Sequence, residues 1–178
     1  MKLRLECREV AAVDTGADSI QASRRDLVDH LDEHVRRISR GGGIETAIDE
    51  VRLFLQQELI PLVEAGESKL RSAIQRMDSS TLAVSAMSLE LDLIRRYVRD
   101  IEEIFYKLET GTSSDETDDR LAEKAIRLQA VVELYVAKEL GVYLPALEDE
   151  LPDEERRQIL DALAAGRRVI KLPDYERV

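Results

Sequence analysis

Residues 81–108 read TLAVSAMSLELDLIRRYVRDIEEIFYKL and give the strongest indication of the fold. Apolar residues recur there at alternating steps of three and four, at Val84, Met87, Leu91, Ile94, Val98, Ile101, Phe105 and Leu108. This spacing places them on one face of an α-helix, as in the seam of a helical bundle. We therefore predict a long amphipathic helix from Thr81 to Leu108.

The same periodicity predicts three further long helices and one short helix, at residues 23–40, 44–77, 120–150 and 153–165. Only a few residues connect one long helix to the next, and long helices joined in this way pack antiparallel. We therefore predict an all-α fold, an antiparallel up-down-up-down four-helix bundle with a short fifth C-terminal helix. Within the second helix, Pro61 is expected to bend the helix locally.

The ends of the chain do not continue the helical pattern. We assign residues 1–20 to an N-terminal extension, residues 21–165 to the bundle and residues 166–178 to a C-terminal tail. In the extension, LRLEC alternates like a short strand. Cys7 is the only cysteine, so an intrachain disulfide and a four-cysteine metal site are both excluded.

Composition limits the function classes. The net charge of −11 disfavours nucleic-acid binding, which depends on basic side chains that neutralise phosphates. No apolar run is long enough to span a membrane, and MKLRLECREV lacks the apolar core of a signal peptide. We therefore expect a cytoplasmic protein with no nucleic-acid or membrane partner. The paired arginines, Arg24-Arg25 among them, are expected to lie on solvated helix faces.

Four residues in the apolar stripes are unusual for a core. His34, Gly66, Tyr135 and Glu139 occupy positions where Leu, Ile or Val would be expected. A buried carboxylate without a partner costs several kcal/mol, so Glu139 is expected to be paired.

Four segments carry a resemblance to a known family: LDEHVRRI (31–38), FLQQELIPLVEAGESKL (54–70), AMSLELDLIRRYVRDIEEI (86–104) and ELYVAKELGVYLPALEDELPDEERRQIL (133–160). They resemble the helices of the hemerythrin-like (HHE cation-binding) family, including the prolines and the acidic fifth helix. The resemblance implies a bundle in which His and Glu side chains hold two oxygen-bridged irons.

This chain departs from that ligand pattern at most positions. His34 stands at the first ligand histidine and Glu139 at the last glutamate, whereas the other ligand positions hold Leu62, Gly66, Leu91 and Tyr135. Leucine offers no lone pair and glycine no side chain. A di-iron centre is therefore not expected, nor are oxygen carriage, peroxide removal or iron storage at such a centre.

Two interpretations of the remaining polar residues stay open. In the first, His34 pairs with Glu139, the Tyr135 phenol is a second donor, and Gly66 leaves room for the Tyr135 ring. Glu139→Gln would then be tolerated or stabilising, because it removes a buried charge. In the second, His34, Tyr135 and Glu139 form a reduced, mononuclear metal site that could hold one iron or zinc. His30 is expected to be a surface histidine under either interpretation.

The leading functional hypothesis is a non-catalytic binding or regulatory module without a cofactor, acting on a protein partner or by self-association. The alternative is a protein that binds metal or senses gas through the reduced site. An enzyme is the third hypothesis, and it would need a cavity near Gly66.

Overall fold

The computed structural model describes residues 16–40, 44–77, 81–111 and 115–165. Within these ranges the chain forms five helices and no strand, which confirms the all-α prediction. We number them α1 (Gly16–Ser39), α2 (residues 44–74), α3 (Thr81–Glu109), α4 (residues 115–150) and α5 (Asp153–Ala165). The strand-like residues 3–7 and the tail 166–178 lie outside the described residues.

The first helix begins earlier than the sequence predicted. It starts at Gly16 rather than Ser23, so residues 16–20 belong to α1 and not to an N-terminal extension. Ile20 is fully buried and lies four residues before Arg24, on the face that continues to Leu27. Arg24 is charged and lies within the apolar stripe, so the sequence pattern did not indicate that the stripe begins at Ile20.

Ion pairs between neighbouring helices fix their direction. Between α1 and α2, Arg37 pairs with Glu50 and His30 with Glu58, so residue numbers rise on one helix as they fall on the other. The same reversal relates α2 to α3, where Arg52 pairs with Glu102 and Glu67 with Arg95. It also relates α3 to α4, where Asp100 pairs with Lys124 and Glu90 with Lys138. Between α4 and α1, Glu139 pairs with Arg24. Adjacent long helices are therefore antiparallel.

All five helices contribute to one apolar core. Its largest fully buried side chains include Phe105, Leu121 and Tyr135. The short helix α5 docks through Ile159, Leu160 and Leu163, all of which are buried. Its predicted bounds, Asp153 to Ala165, are those of the structure.

Turns of π-helix precede two of the prolines. In the turn Leu55–Leu59 the amide of Ile60 donates to the carbonyl of Leu55, and Pro61 follows. In the turn Glu139–Tyr143 the amide of Leu144 donates to the carbonyl of Glu139, and Pro145 follows. Proline has no amide hydrogen and crowds the carbonyl four residues earlier, and a wider turn before it accommodates both effects. The helix is thus locally widened before Pro61, and the bend expected there stays a prediction.

Among the described residues, none of the helices combines the length and the apolar character that crossing a bilayer requires.

Candidate functional site

A buried ion pair joins α1 to α4 inside the bundle. Nε of Arg24 donates to Oε2 of Glu139 at 2.7 Å, and Nη2 donates to Oε1 at 3.0 Å. The side chains are 3% and 0% exposed. Burial lowers the pKa of Arg24, but the Glu139 carboxylate raises it by more, so the net pKa lies above the ordinary value. The guanidinium is therefore charged at every physiological pH.

Tyr135 lies one helical turn before Glu139 and is also fully buried. Its hydroxyl has no hydrogen-bond partner among the described residues. Burial, and then the negative charge of Glu139, raise the pKa of Tyr135 well above its ordinary value. The phenol is therefore neutral.

The Tyr135 ring fills the space beside Gly66. A Cβ added at Gly66 would lie 3.2 Å from Cζ of Tyr135 and closer still to its hydroxyl. The prediction that Gly66 leaves room for the Tyr135 ring is therefore confirmed. The cavity that the enzyme hypothesis needed near Gly66 is filled by this ring. Gly66 and Glu139 each begin a π turn, so local helix geometry is unusual on both sides of Tyr135.

A second, shallower ion pair joins α3 to α4 near the first. Glu90 is 5% exposed and pairs with Lys138, which is one-third exposed. Its Oε2 has no partner among the described groups. Burial, and then the Glu90 charge, raise the pKa of Tyr143, and Glu90 also contributes to the raised pKa of Tyr135. The core polar cluster therefore consists of Arg24, Glu139, Tyr135, Glu90 and Lys138.

His34 lies elsewhere, at the edge of the interface between α1 and α2. Its ring packs on Phe54 with centroids 5.0 Å apart. Burial, and then the charge of Arg37, lower the pKa of His34. The prediction that His34 pairs with Glu139 is wrong, because both carboxylate oxygens accept from Arg24 instead. His30, as predicted, is at the surface, where it pairs with Glu58 at 3.4 Å.

The residues that the sequence resemblance aligns with iron ligands do not fit a pair of irons. Leu62 and Leu91 are buried alkyl side chains, and Gly66 has no donor. A cation at Glu139 would have to displace Arg24 from both carboxylate oxygens and would leave that guanidinium buried without its partner. Of the three residues predicted for a reduced site, Tyr135 and Glu139 are brought together, whereas nothing described in the structure links His34 to them.

The sequence missed the residue that pairs with Glu139. Arg24-Arg25 was assigned to solvent, yet Arg24 is 3% exposed and only Arg25 faces outward. A signal was present, because Ile20, Arg24 and Leu27 follow steps of four and three, the spacing of a single helix face. Arg24 and the pair Glu90–Lys138 could have been found by extending each apolar stripe through its charged members.

Comparisons with protein-family models, with curated proteins and with solved structures found no match to this chain.

Proposed function

We propose that this chain is a hemerythrin-like helical bundle without the di-iron centre, acting as a non-catalytic binding or regulatory module. The proposal joins the sequence resemblance to the polar cluster of the core. It treats the cluster as a permanent replacement for a metal and assigns function to the outer surface of the bundle.

The bidentate pair between Arg24 and Glu139 is the observation that carries this proposal. A buried carboxylate needs a positive charge close by. In a metalloprotein a metal ion supplies that charge, whereas here the guanidinium supplies it from within the chain. Because the pKa of Arg24 is raised, the charge does not depend on metal supply or on pH in the physiological range.

The same cluster favours a non-catalytic role. A general base or acid needs a pKa near the working pH and access to a substrate. The raised pKa of Tyr135 and its full burial remove both conditions. Glu139 is held by two hydrogen bonds and is likewise fully buried.

Metal analysis of protein purified from iron-supplemented cells, with its visible spectrum, tests the proposal. We expect no stoichiometric metal, no charge-transfer band and a cooperative thermal melt that a chelator does not change. Two irons per chain would overturn the proposal, because other residues would then have to rebuild the centre.

The two histidines of the chain provide a matched control for the alternative, a reduced metal site. One metal per chain that is lost in His34→Ala but kept in His30→Ala would establish that site and contradict the proposal. Metal that is lost in neither variant would indicate adventitious binding at the acidic surface.

A further inference from the structure

Large apolar side chains are exposed together along the outer seam between α3 and α4. Leu82 is 83% exposed and Leu89 61% on α3, and Leu134 is 49% and Val142 53% on α4. Single exposed apolar residues are ordinary, whereas a contiguous group marks an interaction site. These four residues form the seam patch.

The ion pair Glu90–Lys138 shows that the two halves of the seam patch lie side by side. Leu89 is next to Glu90 in sequence, and Leu134 and Val142 lie one turn to either side of Lys138. On α3, Leu82 and Leu89 are seven residues apart, which is two turns on the same face. Four of the six large apolar side chains that are most exposed among the described residues therefore share one seam.

Each carboxylate of the same helix segments has a partner within the chain. Residues 82–96 contain two acids, and the segment 127–145 contains two more. Glu90 and Glu139 are buried in ion pairs. Asp92 pairs with Arg95, which reaches across to α2, and Glu133 accepts from Gln129, which also reaches α1.

That arrangement is unusual for so acidic a chain, and it indicates what the patch binds. Elsewhere the net charge of −11 repels a second copy of the protein. The segments 82–96 and 127–145 together hold four acidic and four basic residues, so they carry no net charge. Exposed Asp92 lies one turn from Leu89, and exposed Arg96 lies one turn further along α3. Charges of both signs at the border suit a self-complementary contact. An anionic lipid surface fits less well, because it would be repelled by the rest of the chain.

We propose that the seam patch is the contact surface of a two-fold symmetric homodimer, in which α3 and α4 of one copy pack on those of the other. Two-fold dimers are the commonest soluble assemblies, and each copy contributes the same surface to them. A second copy of the chain would be the partner of the proposed binding module. The dimer does not depend on whether the core is free of metal.

Sedimentation equilibrium of the full chain over a wide concentration range tests the dimer. We expect a mass twice the 20.2 kDa of the chain for the unmodified protein. In Leu89→Glu the dissociation constant should rise at least roughly tenfold, because a carboxylate is then buried in an apolar contact. Leu89 is mostly exposed, so the helical circular-dichroism signal and the melt should be unchanged.

Tyr106→Glu is the matched control, since Tyr106 is on the same helix and 67% exposed but outside the seam patch. Its dissociation constant should equal that of the unmodified protein. A chain that remains monomeric throughout, or a dimer weakened equally by both variants, overturns the inference. A monomer that floats with vesicles of phosphatidylcholine and phosphatidylserine also overturns it and assigns the patch to lipid.

Metal content measured on the same samples separates this dimer from the proposed function. A metal-loaded dimer would refute the metal-free core and leave the contact standing. A metal-free monomer would do the reverse.

Discussion

Gly66 of α2 and Tyr135 of α4 form a matched pair, in which the missing side chain of one makes room for the ring of the other. A Cβ at Gly66 would lie 3.2 Å from Cζ of Tyr135 and even closer to the hydroxyl oxygen. Gly66 has an ordinary helical backbone, with φ −57° and ψ −46°, so it is not required for its conformational freedom. Steric exclusion by Tyr135 is what makes glycine necessary here.

We therefore expect Gly66→Ala to destabilise the protein although alanine is the better helix former. Overpacking of a core costs about 1–3 kcal/mol, and the gain in helix propensity offsets only about 1 kcal/mol of this. The free energy of unfolding, measured by urea denaturation, should fall accordingly.

Tyr135→Phe provides the control for this substitution, because it removes the oxygen that lies closest to the added methyl group. In that background Gly66→Ala should be neutral or stabilising by up to about 1 kcal/mol. Equal destabilisation by Gly66→Ala in both backgrounds would show that Tyr135 is not the obstacle.

The pair Arg24–Glu139 gives a second prediction, which replaces the tolerance expected for Glu139→Gln. Removing one member leaves the other charge buried, so Arg24→Met and Glu139→Gln should each cost about 3–5 kcal/mol of unfolding free energy. The double variant Arg24→Met, Glu139→Gln should lose clearly less than the sum of the two single variants, since it removes both charges. Two single-variant losses that simply add in the double variant would contradict a direct pair.

A surface pair shows whether burial is responsible for this effect. Arg127 and Glu123 are both more than half exposed and lie 2.6 Å apart. Arg127→Met should leave the urea midpoint almost unchanged, because water screens exposed pairs.

Periodicity predicted most of the helical fold, because apolar stripes report which face of each helix is buried. The bounds of α3 and α5 follow from the stripes that contain Leu91 and Leu163. The start of α1 could not be predicted from its stripe. Arg24 lies within that stripe, and a charged residue there indicates that the buried face ends. Such a residue is tolerated only because a partner neutralises it, and that partner lies 115 positions away in the chain.

The polar cluster was predictable only in part for the same reason. That Glu139 needs a partner followed from the energy of burying a carboxylate. Which residue supplies the charge depends on how α1 is rotated and aligned against α4. His34 and Arg24 are both on α1, and only the packed structure decides between them. The match between Gly66 and Tyr135 was easier to predict, since a small residue and a large one at facing core positions complement each other in volume.

A third prediction concerns alkaline pH. The pKa of Tyr135 is raised by burial and by Glu139, so its phenol stays protonated in the folded state at pH values where the unfolded phenol, with a pKa of about 10, ionises. The unfolded state then binds fewer protons, and stability must fall as pH rises above about 10. Below that pH the phenol makes no pH-dependent contribution.

Absorbance of phenolate against pH checks this prediction directly. The chain contains five tyrosines, and in urea all of them should ionise together. In the native protein, Tyr135→Phe should leave unchanged the amount of phenolate that forms near the ordinary tyrosine pKa. The same substitution should reduce the loss of unfolding free energy at pH values above that pKa. Tyr143, whose pKa is also raised by burial and by the Glu90 charge, contributes to the loss that remains. A native amplitude that falls in Tyr135→Phe would mean that this phenol is accessible to solvent.

A fourth prediction concerns mildly acidic pH and the edge of the α1–α2 interface. Burial, followed by the charge of Arg37, lowers the pKa of His34, while the charges of Glu50 and Glu58 only partly oppose this. The folded state therefore holds the neutral imidazole, while the unfolded histidine gains a proton near its ordinary pKa of about 6.5. Stability from this group is complete above that pH and is lost as pH falls from there towards the lower folded pKa.

Proton NMR of the imidazole in a His30→Gln variant isolates His34, since the chain has only two histidines. Its midpoint should lie below about 6.5, and Arg37→Met should move it upward by removing a neighbouring positive charge. A chelator in every sample keeps a bound metal from imitating the lowered pKa. A midpoint at or above the ordinary value would mean that a carboxylate stabilises the charged ring, and the contact with Phe54 would then not be its main environment.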